Sequence, residues 1–165
     1  MRVIIFLLAA AISGCNAVST NDSVITAQPY VGLKERQNRS ELKELTGVDP
    51  VRTEWCAAFV NSVLEIDNIP GSASVSDNPL MARSFLDWGE RVERVNIQRG
   101  DVVVFPRGNQ GWQGHVGFYV ETRLVDNTEY WVILGGNQNN EVRYDYYKPN
   151  KAIGIRRYPI NTNAQ

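Results

Sequence analysis

The stretch TEWCAAFVNSVL, residues 53–64, puts a thiol, Cys56, at the start of an apolar helical pattern. A thiolate is a strong nucleophile, and the unpaired amides and dipole of a helix N-terminus favour negative charge there. Such a nucleophile needs a base, and His115 is the one imidazole in the chain. It opens a strand-like run, HVGFYVE, so a helix carrying the thiol could face a strand carrying the imidazole, the arrangement needed for thiol attack on a carbonyl. Each residue also has a plainer explanation. Free cysteine is among the most buried residue types, and a lone histidine at a strand edge serves structure as readily as chemistry.

The elements that must position this pair can be traced along the chain. Asn38 opens NRSELKEL, with Glu41 three residues on and Gly47 at its end, which predicts a short capped helix. Thr53 reads as the N-cap of the next helix, running to about residue 65, with Cys56 at its third position and Pro70-Gly71 beyond its end. Trp55, Phe59 and Val63 share one stripe while Cys56, Val60 and Leu64 share the next, so this helix is expected to be buried on most sides. A third helix is expected over 79–88. After Gly100-Asp101 the pattern changes to β-branched and aromatic runs over 102–105, 115–121, 130–136, 142–147 and 152–158, separated by Gly, Asn, Asp or Pro clusters. Helices first and antiparallel strands second, around one core, give an α+β fold.

Composition bounds the partners. With 165 residues, 43% of them hydrophobic, one domain with a real core is expected. The 17 basic and 18 acidic residues give a formal charge of -1 with no basic block, which argues against nucleic acid. At the N-terminus, Met1-Arg2, an apolar run over 3–12 and the small residues Ser13-Gly14 describe a secretory signal, shorter than a bilayer span. Ile12-Ser13-Gly14-Cys15 resembles a bacterial lipobox, which implies cleavage before Cys15 and lipidation of its sulfur; the plainer alternative is an ordinary signal peptide cleaved nearby. Several acyl chains would hold the protein firmly to a membrane. Asn16, in lipoprotein sorting as usually described, directs the protein to the outer membrane of a two-membraned bacterium. With Cys15 acylated, Cys56 is the only thiol left, which excludes an internal disulfide. One Cys and one His are too few for a structural zinc site, and neither metal nor cofactor is expected. The expected layout is a signal over 1–14, a polar tether over 15–28, a single monomeric domain over 29–160 and a tail over 161–165.

Four motifs in order, EWCAAFVNSVL, RGDVVVF, GHVGFYVE and GGNQNN, resemble those of the NlpC-like and CHAP cell-wall hydrolases, with Trp-Cys-Ala-Ala-Phe at the nucleophile as in small bacterial and phage members. The resemblance runs from about Tyr30 to Tyr158. It implies a papain-like α+β fold, Cys56 as nucleophile and His115 as its base. It also implies a third polar group that orients the imidazole, for which Asn137 is the best match; Gln138 and Asn139 adjoin it. The implied substrate is peptidoglycan, cut either within the peptide stem or at the sugar–peptide amide. Many NlpC-like enzymes carry Asp before the cysteine and Ser-Gly after it, whereas this chain has Trp55 before and Ala57-Ala58 after, with Glu54 two places upstream. A wall-binding or adaptor lipoprotein without activity is the alternative from a different class. The Cys56 amide is the expected first oxyanion donor. Asp101 reads as a turn residue. Trp55 and Trp112 are candidates for a cleft lining, and Arg83-Ser84 for a substrate contact or a solvated face.

Overall fold

The computed structural model describes residues 22–159. The expected signal, the lipidation site Cys15 and the expected tail over 161–165 lie outside these residues. Three α-helices, α1 (Ser23–Ala27), α2 (Arg39–Thr46) and α3 (Cys56–Ile66), precede six strands: β1 (Glu90–Arg91), β2 (Val102–Pro106), β3 (Gly114–Val125), β4 (Thr128–Gly135), β5 (Arg143–Tyr147) and β6 (Gly154–Arg157). The strands form one antiparallel sheet in the order β1-β6-β2-β3-β4-β5. The fold is therefore α+β, with the cysteine-bearing helix packed on the sheet.

Both faces of the sheet are buried. Val102, Val104, Val116, Phe118 and Leu134 pack with Trp55, Phe59, Val60, Val63 and Leu64 of the α3 region. Val103, Phe105, Tyr119, Trp131, Ile133 and Ile155 form a second cluster on the other face, joined by Val92, Ile97, Tyr147 and Ala152. Burial on two faces explains why VVVF reads as an unbroken apolar run instead of an alternating one. The β3–β4 hairpin closes through Asp126 and Asn127, at φ of 48° and 59°, the paired left-handed conformations of a tight hairpin turn.

The structure corrects three expectations and adds one strand. The tether expected over 15–28 does not extend through its C-terminal part, because residues 23–27 are helical and Val24 and Ala27 are fully buried. Asp22 caps this helix at the Val24 N–H, and the Ser23 hydroxyl donates to Asp67. Helix α3 is capped by Trp55 instead of Thr53, so Cys56 is its first residue, not its third. The helix expected over 79–88 is instead a 3₁₀ segment, Ala82–Leu86, ending before Gly89, which sits at φ 61°. Strand β1, two residues long and exposed, carries no apolar alternation that could have revealed it.

Gly136 shows why a small residue is needed between β4 and the following turn. A Cβ there would lie 2.6 Å from the Trp55 ring and 2.7 Å from Phe59 Cβ. Neither neighbour is a flexible side-chain end, so Gly136→Ala is expected to cost about 2 kcal/mol through overpacking, read as a lower urea midpoint at unchanged m-value.

Candidate active site

Cys56 opens α3, where the first amides of a helix have no partner within it. The first closing bond in the helix runs from the Phe59 N–H to the Trp55 carbonyl. The amides of Ala57 and of Val116, the neighbour of His115 on β3, face the Cys56 sulfur. The thiol of the helix thus sits against the start of the strand that carries the imidazole. Cys56 is only 3% exposed, and this burial pushes the thiol above its ordinary range, against the pull of Arg107 and the two amides. Desolvation outweighs the lowering expected from the helix N-terminus alone.

His115 is held on two sides. The Tyr147 ring stacks on the imidazole, with centroids 5.6 Å apart and planes at 13°, and Phe105, the cross-strand partner of His115, also stacks on Tyr147 at 4.4 Å. At its edge, Nε2 lies 3.0 Å from Gln138 Oε1. The Gln138 amide nitrogen donates to the carbonyls of Ile133 at 3.1 Å and Arg143 at 2.5 Å, so the oxygen must be the end that meets the imidazole. Gln138 Oε1 can only accept, hence Nε2 carries the proton and Nδ1 carries the lone pair. His115 Nδ1 is buried and has no hydrogen-bond partner among the described residues. Burial first, and the charge of Arg107 second, lower the imidazole to about 3, with the Gln138 bond opposing them. The resting pair is therefore a neutral thiol and a neutral imidazole, with the basic nitrogen free.

Asn137 does not orient the imidazole as the resemblance implied; Gln138 does. Asn137 sits at φ 54°, and this left-handed turn sends its side chain to Glu54, where Nδ2 donates to Oε2 at 2.6 Å. The next residue turns inward and is 1% exposed. An alternative in the GGNQNN turn was visible in sequence, but the left-handed φ that chooses between neighbours was not. Sequence reasoning also missed Arg107, which follows β2. Its Nη2 donates to the Asn137 carbonyl at 3.1 Å and its Nη1 lies 3.8 Å from Glu54 Oε2.

Cys56, Glu54 and Arg107 line a cavity of about 320 Å³ together with the apolar side chains of Leu80, Met81 and Trp112. Trp112 is 61% exposed and belongs to this cavity, whereas Trp55 is fully buried in the core and donates from Nε1 to Glu35 at 3.4 Å. Asp101 is structural: it accepts Arg157 and the Gln98 N–H at the entry to β2. Arg83 donates to the Gln113 carbonyl, tying the 3₁₀ segment to the loop before β3, and Ser84 is buried.

No protein-family model matches this chain, and no curated protein matches it. Among solved structures, the chain is similar to a crystal structure of an NlpC/P60 family protein from Bacillus cereus ATCC 10987, at 17% identity and a TM-score of 0.42. The match covers 62% of this chain and 31% of that one, so this chain spans less than a third of the relative's length.

Proposed function

We propose that the chain is a cysteine hydrolase that cuts an amide bond of bacterial peptidoglycan. The observation that carries this reading is the unpartnered Nδ1 of His115, fixed as the basic nitrogen by Gln138, on the residue beside the Val116 amide that faces the Cys56 sulfur. In the first step Nδ1 takes the thiol proton as Sγ attacks the amide carbonyl, and the Cys56 backbone N–H stabilises the developing oxyanion. The amine then leaves with the proton from the imidazolium, giving an acyl-thioester. Water, deprotonated by Nδ1, attacks this ester; the carboxylate is released and the thiol restored. With both partners neutral at rest, proton transfer accompanies attack. The peptidoglycan substrate, the anchor at Cys15 and the outer-membrane location follow from the motif resemblance and the lipobox, which together would hold the enzyme within reach of the wall.

The burial of Cys56 favours a second reading, a wall-binding or adaptor lipoprotein on the same scaffold. The test incubates the full chain and its Cys56→Ala variant with purified sacculi and identifies released fragments by mass spectrometry. Intact stems freed from the sugar mean an amidase, and split stems mean an endopeptidase. Co-sedimentation of wild type with sacculi, without release of any fragment under reducing conditions, would refute hydrolysis and favour the binding protein.

The same assay separates Gln138 from Asn137. Gln138→Leu removes the acceptor at Nε2 and lets the imidazole turn, so kcat is expected to fall roughly 100-fold. Asn137→Ala, which loses a bond to the exposed Glu54, is expected to cost far less.

A further inference from the structure

The cavity beside Cys56 is lined by two chemically distinct sets of groups. Leu80, Met81 and the exposed Trp112 contribute apolar surface, while Glu54 and Arg107 contribute charge. Arg107 is the cation lining it. A guanidinium carries five N–H donors in a planar fork. Here one donor is taken by the Asn137 carbonyl, and the guanidinium also faces the Tyr147 hydroxyl. Glu54 is beyond hydrogen-bond distance at 3.8 Å, and its own oxygen is engaged by Asn137. The guanidinium is therefore fixed at one edge and has donors left over, about one-third of the side chain being open to solvent. A planar, partly satisfied guanidinium beside a nucleophile suits a carboxylate, which can accept two parallel N–H bonds.

We propose that Arg107 forms a carboxylate subsite next to Cys56, and that the preferred substrate is a peptide bearing a free carboxylate beside the amide to be cut. This deepens the hydrolase reading and rests on it for the reacting bond. Trp112, Leu80 and Met81 then receive the apolar part of the substrate. Glu54 plays two parts: through Asn137 it helps hold the turn whose carbonyl anchors Arg107, and its own charge repels the incoming carboxylate. Removing that charge should strengthen binding of a carboxylate ligand and would weaken binding of an amine.

The probes are two soluble wall-peptide fragments, one with a free carboxylate beside the cleavable amide and the other with the carboxamide in its place. Binding is measured by calorimetry to the full chain carrying Cys56→Ala, so that no turnover interferes. The carboxylate form is expected to bind roughly 10- to 100-fold more tightly, the range for a hydrogen bond to a charged group. Adding Arg107→Gln should erase the preference, Arg107→Lys should restore part of it, and Glu54→Gln should increase it. Equal binding of the two forms, binding of neither, or a preference that survives Arg107→Gln overturns the subsite. Wild type is assayed in parallel on sacculi and both fragments. Arg107-dependent preference without any cleavage by wild type would leave the subsite standing and remove the hydrolase.

Discussion

In the Cys56→Ala variant, turnover of the wall amide is expected to fall by on the order of 10⁶, to the level that binding and oxyanion contacts alone sustain. The magnitude follows from how the site is assembled. The described residues hold one cysteine and one histidine, so among them no second thiol or imidazole can take over. Because the thiol is pushed up by burial and the imidazole down, neither is charged at rest, and each depends on the other at the moment of attack. Nucleophile and base then act as a unit, and their removal is not additive. His115→Ala should cost about as much as Cys56→Ala, and the double variant no more than either. Rates on sacculi for the two single variants and the double variant form the check. Additive losses, or retention of a few per cent of activity without the thiol, would refute the assignment.

How much of this site can be read from sequence depends on which physical signal carries each residue. The proposed nucleophile and base, Cys56 and His115, are marked by rarity and by position at the start of an element, and the Val116 amide beside His115 faces the Cys56 sulfur. Five strands were legible because β-branched runs and Gly, Asn or Asp breaks are local signals. Strand order was not, since β6 returns to pair with β2, and that pairing rests on long-range contacts no periodicity records. Gln138 was hidden for a sharper reason. Within one polar turn, the choice between neighbours is made by backbone dihedrals, and the left-handed Asn137, Asn139 and Asn140 decide which side chain faces inward. Arg107 was hidden because a cation in a loop looks like ordinary surface until the cavity beside it is known.

Lowering the pH from neutrality to 4 is expected to destabilise the fold by about 3 kcal/mol through His115 alone. The imidazole is 1% exposed and lowered from 6.5 to about 3 in the folded protein, by burial first and by Arg107 second. The unfolded chain takes up a proton near 6.5, while the folded chain resists it until about 3, so between these values the unfolded state binds more protons. Stability must then rise with pH across that window. The contribution is complete above 6.5 and falls by about 1.4 kcal/mol for each unit below, until the folded state protonates too. Only one histidine is present in the sequence, so a difference curve against His115→Asn isolates the effect from carboxylates common to both proteins. Urea unfolding at pH 7, 6, 5 and 4 should show wild type losing stability relative to the variant as the pH drops, whatever their offset at pH 7. Parallel curves would mean that the imidazole titrates near its ordinary value when folded. The same lowered value bears on catalysis. A base that stays neutral down to about 3 keeps Nδ1 available in mild acid, so the acid limb of the activity profile should fall well below 6.5. A site acting through a thiolate–imidazolium pair differs on the alkaline side, where loss of the imidazolium proton ends activity, because its imidazole must be charged at rest. A single pH series on stability and another on rate therefore test one arrangement from two directions.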